Sequence, residues 1–154
     1  MAAVLLLLSL VATLIYGTRF FAAPGGWTKA VVKTAAVGSL AVYALVSGAP
    51  WLLVVALALS SAGDFFLAHD GEKPFLAGLG SFLLAHVVYI VLFRQVGMPF
   101  AVFAAEPGRL VAAVAVVGFC LAMVVWLWGH LGDMRIAVAA YTATIAAMVV
   151  SALA

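Results

Sequence analysis

The chain has 154 residues, of which 69% are hydrophobic and 8% are charged, and its formal net charge is +2. Soluble domains are about half apolar and about one quarter charged, so this composition excludes a soluble protein and indicates an integral membrane protein. The weak and dispersed positive charge also argues against a nucleic-acid-binding surface. We therefore expect the lipid bilayer as the partner of this chain and no nucleic acid, and the composition leaves the oligomeric state open.

Hydrophobic segments follow one another along the whole chain, and each is close to the ~20 residues that a membrane-spanning helix needs. Clusters rich in glycine and proline separate them. The first segment lacks the positively charged start of a signal peptide, so we interpret it as the first transmembrane helix. Alternating strands of about ten residues are absent, so we predict an all-α membrane protein, a polytopic bundle of about six transmembrane helices. It forms a single transmembrane domain over 1–154, with helices at about 2–22, 29–47, 50–68, 75–95, 109–129 and 134–153.

Lysine and arginine residues predict the orientation of these helices. The positive-inside rule assigns the side that is richer in Lys and Arg to the cytoplasm, which places both termini on the opposite side. The richer side collects Arg19, Lys29, Lys33, Lys73 and Arg135, and the other side collects Arg94 and Arg109.

Titratable side chains interrupt three of the hydrophobic segments, at Lys33, Asp64 and His86. A charged side chain at the centre of a bilayer costs about 2.5–3.5 kcal/mol even on insertion scales, so such residues are usually functional. Counted along the predicted helices, Lys33 and Asp64 lie near the cytoplasmic surface, with Ser81 and Tyr141 at a similar depth and His86 deeper. We therefore predict that these five side chains line one interior cavity in the cytoplasmic half of the bundle.

Each candidate also has a structural interpretation. Asp64 is either a carboxylic acid that handles protons or the counter-ion of Lys33, and Lys33 can instead extend to the membrane surface. His86 is a general acid or base, a substrate ligand, or a hydrogen-bonding partner of a neighbouring helix. Ser60 and Ser81 fit close helix packing better than nucleophilic catalysis, because no Gly-x-Ser-x-Gly motif is present. The histidines are not clustered, so we expect no metal site and no cofactor.

Two adjacent motifs resemble the signature of the YhhN-like transmembrane lysoplasmalogenase family. Ser-x-x-Gly-Asp-x-x-Leu begins at Ser60, and Phe-x-x-Gly-Leu-x-x-Phe-x-x-Ala-His-x-x-Tyr runs from Phe75 to Tyr89. The segment from Tyr141 to Met148 is similar to a later helix of that family, and Lys33 to the lysine of its second helix, although the expected proline is missing. The resemblance covers the N-terminal six-helix portion of the family. A later helix with a Ser-Asp pair is not among the 154 residues, which leaves open whether the native chain continues and whether this portion is active alone.

The resemblance implies a hydrolase that cleaves the vinyl ether bond of lysoplasmalogen-type lysophospholipids into a fatty aldehyde and a glycerophospho-base. That reaction begins by protonating an alkene carbon and passes through an oxocarbenium ion, so it requires an acid and then a base that activates water. The implied partners are a lysophospholipid substrate and the lipid bilayer, and the implied location is the bacterial inner membrane. Its implied catalytic residues are Asp64 and His86, and its implied substrate-binding residues are Lys33, Ser60, Ser81, Tyr89 and Tyr141.

Two other classes of protein fit the same residues. A small proton-coupled transporter or lipid-binding membrane protein would use Asp64 and His86 as a proton-accepting site. A structural membrane protein would use them only as buried polar contacts between helices. Hydrolysis of a vinyl ether lysolipid by the purified protein separates the first interpretation from both alternatives. The head-group preference of such an enzyme does not follow from the residues.

Overall fold

The computed structural model describes residues 2–154, and they contain helices and connecting turns but no strand. This confirms the all-α fold. One helix was not predicted, a single turn at 102–105 in the break between two long segments. In chain order the helices are α1, Ala2–Ile15, which continues in a π-helical turn at Tyr16–Phe20; α2, Trp27–Val46; α3, Trp51–Leu67; α4, Glu72–Val96; α5, Val102–Ala105; α6, Pro107–Leu127; and α7, Arg135–Leu153. Short 3₁₀ turns at Trp128–His130 and Gly132–Met134 connect α6 to α7.

Five helical segments are long and apolar enough to cross a membrane, which agrees with a multi-pass integral membrane protein. They are Ala2–Phe20, Trp27–Val46, Glu72–Val96, Pro107–His130 and Gly132–Leu153. The sixth predicted span corresponds to α3, which is also apolar but has only 17 residues. Turn-forming residues separate the long helices, but α4 begins at Glu72, three residues before its predicted start, and α6 begins at Pro107, two residues before its predicted start. Pro107 occupies the first turn of α6, where its missing N–H leaves no hydrogen bond unmade.

Contacts divide the chain into two compact units, Met1–Val88 and Tyr89–Ala154. In the first unit α1 packs on α2 and α2 packs on α3. Serine hydroxyls connect these helices through backbone carbonyls: Ser9 Oγ donates to the Ala36 oxygen at 2.6 Å, and Ser61 Oγ donates to the Thr34 oxygen at 3.1 Å. Small side chains and interhelical hydrogen bonds of this kind are the usual means by which membrane helices associate.

Helix α4 closely approaches α3 at two glycines. A Cβ atom at Gly63 would lie 2.6 Å from the ring of Phe82, and a Cβ atom at Gly78 would lie 2.6 Å from Cγ of Leu67. Both positions therefore require the absence of a side chain. The contacts also establish the register of this antiparallel pair, with Gly78 beside Leu67 and Phe82 one turn later beside Gly63.

Two loops of the first unit are joined by hydrogen bonds. The Gly25 N–H donates to Asp70 Oδ2 at 2.9 Å, and the Gly26 N–H donates to the Ala68 oxygen at 3.0 Å. The connection between α1 and α2 is thereby attached to the connection between α3 and α4. Asp64 lies in the last turn of α3, just before the residues that make this attachment.

The second unit consists of α6 packed on α7, together with α5 and the segment before it. Arg109 connects the start of α6 to the end of α7, because its Nη1 donates to the Leu153 oxygen at 2.9 Å while its Nε donates to Glu106 at 2.6 Å. An apolar cavity of about 450 Å³ opens beside α6 and is lined by Phe103, Leu110, Ala113, Val114, Val117, Gly118, Leu121 and Val150. None of the predicted site residues lines this cavity.

Candidate active site

An ion pair between Lys33 of α2 and Asp64 of α3 is the centre of the candidate site. Lys33 Nζ lies 3.1 Å from Asp64 Oδ1, and the two side chains retain only 20% and 12% of their accessible surface. Lys33 is in the second turn of α2 and Asp64 is in the last turn of α3, so the antiparallel helices bring both residues to the same depth. Pairing reduces the free-energy cost of placing each charge in an apolar bundle, and removing one partner alone would leave the other uncompensated.

Tyr16 covers the Lys33 ammonium from the side of α1. Lys33 Nζ lies 5.8 Å from the centroid of the Tyr16 ring, which is within the range of a cation–π contact. The residue begins the π-helical turn at the end of α1. The sequence does not single out Tyr16, because a tyrosine near the end of an apolar helix is typical of the membrane interface and carries no motif.

Other polar side chains of α2 and α3 also belong to the candidate site. Ser60 is half-buried and lies one turn before Asp64 on the same face of α3. Ser61, next to it, connects α3 to α2 through the carbonyl oxygen of Thr34. The Thr34 hydroxyl is buried and has no hydrogen-bonding partner within the described part of the chain. Buried hydroxyls usually have one, so Thr34 marks a polar position beside Lys33 that the sequence did not single out.

His86 of α4 has a defined ring orientation. Its Nδ1 bonds to the carbonyl oxygen of Phe82, one turn earlier in the same helix. A carbonyl oxygen only accepts, so Nδ1 is the donor, and Nε2 of the neutral ring is then the nitrogen that can accept a proton. Because Phe82 lies beside Gly63, the register of the two helices places His86 about one turn away from Asp64, near the level of Ser60.

The remaining predicted residues occupy other positions. Ser81 Oγ donates to the Leu59 oxygen at 2.7 Å and so connects α4 to α3, as the packing interpretation expects. Tyr89 stacks on Phe93 with 5.8 Å between ring centroids, and Tyr141 lies in α7; both belong to the second unit. A single cavity containing all the predicted residues remains a prediction. Among residues 2–154, no group of three or more His, Cys, Asp or Glu side chains has an arrangement that could hold a metal ion.

Comparison with known proteins identifies related sequences. The model of the YhhN family matches residues 28–154. Proteins named lysoplasmalogenase from Mycobacterium bovis and Mycobacterium tuberculosis are each 41% identical to this chain over 105 residues. The matched region covers 66% of this chain but only 39% of the length of these relatives. No solved structure matches the chain.

Proposed function

This chain belongs to the YhhN family, and we propose that it forms the ion-pair-containing part of a membrane-embedded hydrolase that cleaves the vinyl ether bond of lysoplasmalogens. The observation that carries the proposal is the Lys33–Asp64 pair, an acid–base pair inside an otherwise apolar helix bundle. Ionisable residues within membrane-spanning segments usually mark substrate or proton pathways. The two mycobacterial relatives that are named lysoplasmalogenase support the choice of reaction.

The ion pair supplies the proton for the first step of this reaction. At 3.1 Å the proton can move from Lys33 Nζ to Asp64 Oδ1, which turns the pair into an amine and a carboxylic acid. Asp64 then protonates the alkene carbon of the vinyl ether, and the adjacent carbon becomes an oxocarbenium centre. The carboxylate that remains lies opposite this cation and stabilises its charge, as preorganised charges in water-poor sites do.

His86 acts in the second step. Water adds to the oxocarbenium carbon, and the Nε2 atom of His86 accepts the proton that this water loses. The resulting hemiacetal collapses to the fatty aldehyde and the glycerophospho-base, and the proton on His86 returns to the Lys33–Asp64 pair. Substrate, water and products then balance, with one water consumed in each turnover.

The other predicted residues bind the substrate in this scheme. Lys33 in its ammonium form attracts the phosphate of an arriving lysolipid, and Tyr89 and Tyr141 contact the head group. Ser60 is the better placed serine, since the hydroxyl proton of Ser81 is already donated to a carbonyl. We place the protein in the cell membrane of a bacterium, with the ion pair in the cytoplasmic half of the bilayer.

Release of fatty aldehyde from a 1-alkenyl lysophospholipid tests the proposal in the natural protein reconstituted in lipid. Asp64→Asn keeps the shape of the side chain but cannot deliver a proton, so we expect turnover to fall about 10²–10⁴-fold. Asp133→Asn is the matched control, because Asp133 is exposed and lies in the other unit. Detergent gel filtration of both variants checks that they are folded.

Near-normal turnover by folded Asp64→Asn would show that another residue is the acid. A protein that never releases aldehyde but takes up or binds lysolipid in response to a proton gradient would instead be a transporter or lipid-binding protein.

A further inference from the structure

Contacts with Asp64 and Tyr16 hold the Lys33 ammonium in position. A lysine side chain is a flexible four-carbon stem, and near the end of a membrane helix it tends to extend towards the aqueous surface. The contacts of Lys33 Nζ that oppose this movement are the carboxylate of Asp64 at 3.1 Å and the ring face of Tyr16 at 5.8 Å. The Tyr16 ring is therefore an aromatic face that the ammonium contacts.

The register of α1 and α2 places Tyr16 on the surface side of this ammonium. Ser9 of α1 donates to the carbonyl of Ala36, and the two helices are antiparallel, so residues later in α1 lie beside residues earlier in α2. Tyr16 consequently lies nearer the start of α2 than Lys33 does. Its ring therefore meets the lysine side chain near the end of the bundle towards which a lysine would extend.

The helix geometry changes at Tyr16, the residue that carries this ring. The backbone from Tyr16 to Phe20 is π-helical, with wider turns than an α-helix, and such turns are frequent at functional sites. Thr18 Oγ1 donates to the Leu14 oxygen at 2.7 Å and so satisfies a carbonyl within the transition. A threonine that bonds back by four residues tends to bend a helix. The Thr18 hydrogen bond therefore favours the π-helical turn that begins at Tyr16, the residue that contacts Lys33.

We propose that Tyr16 is a positioning residue that holds the Lys33 ammonium against Asp64 through its ring face, and this role rests on the proposed hydrolase function. The ring face, not the hydroxyl, makes the contact. Tyr16→Phe should therefore keep kcat/KM for lysoplasmalogen within about twofold of the original protein. Tyr16→Leu removes the aromatic face and should lower kcat/KM about 5- to 30-fold, the range expected for a cation–π contact in a desolvated setting. Tyr43→Leu, a tyrosine loss near the other end of α2, is the control and should leave kcat/KM unchanged.

A double-mutant cycle on thermal unfolding tests the contact independently of turnover. Tyr16→Leu should lower the unfolding temperature of the original protein but have little further effect in a Lys33→Met background, because the cation is then already gone. An equal decrease in both backgrounds, or a Tyr16→Phe variant as impaired as Tyr16→Leu, would overturn the proposal. A protein without vinyl ether hydrolysis would refute the proposed function, and the cycle would still decide whether Tyr16 holds Lys33.

Discussion

Replacing Gly78 by alanine tests the close approach of α4 to α3, and we expect it to destabilise the protein. The new Cβ atom would lie 2.6 Å from Leu67 Cγ and 3.2 Å from the backbone oxygen of Gly63, where ordinary contacts begin at 3.4 Å. The leucine side chain can rotate away, but the backbone oxygen cannot, so the two helices must separate. Overpacking of this kind costs about 1–3 kcal/mol of unfolding free energy. For a chain of this length that corresponds to a decrease of about 2–12 °C in Tm.

Gly80 is the matched control for this substitution. It lies two residues later in the same helix, and a Cβ atom there would meet nothing within 4 Å. Gly80→Ala should leave the Tm unchanged or raise it slightly, since alanine favours a helix over glycine by about 0.8–1 kcal/mol. Thermal unfolding in detergent, followed by tryptophan fluorescence, measures both variants. Equal Tm values for Gly78→Ala and Gly80→Ala would refute the close packing of α3 and α4. Turnover should fall only in Gly78→Ala, because Gly63 adjoins Asp64.

Further substitutions address three other contacts. Lys33→Met or Asp64→Leu alone should lower the free energy of unfolding by up to about 3–5 kcal/mol, whereas the double variant should recover much of this loss. Equal decreases in Tm for the two single variants and the double variant would contradict a buried ion pair. Asp70→Ala removes the acceptor of the Gly25 N–H and should cost about 0.5–1.5 kcal/mol, with faster proteolysis of the loop before α2; an unchanged cleavage rate would count against the loop attachment. Arg109→Lys keeps the charge but cannot contact Glu106 and the end of α7 together, so calorimetry in detergent should show a lower Tm, and an unchanged Tm would contradict this bridge.

The long helices and the ion pair were accessible from the sequence, for definite physical reasons. Spans of about 20 apolar residues between turn-forming clusters have few alternatives in a bilayer. Counting residues from helix ends was enough to place Lys33 and Asp64 at one depth, because the rise per residue is constant. The one-turn helix α5 was missed because four residues between two proline-containing turns carry no periodicity.

Side-chain contacts were less predictable than depths. The ring of His86 bonds through Nδ1 to a carbonyl of its own helix, a contact that the sequence did not specify. Residue spacing alone does not determine the rotamer of a histidine ring. The contact of Tyr16 with Lys33 depends on a π-helical turn, and no residue pattern specifies where such a turn forms.

The shortness of α3 affects the membrane around the candidate site. Its 17 residues extend about 25 Å, less than the hydrocarbon thickness of about 30 Å. A bilayer can accommodate such a hydrophobic mismatch by thinning next to the short helix. Thinning beside α3 would draw lipid head groups towards the level of Asp64, which lies in the last turn of this helix. The proposed lysolipid substrate carries its ether bond just beneath its phosphate, so local thinning would bring this bond to the depth of the ion pair while the lipid stays in the membrane.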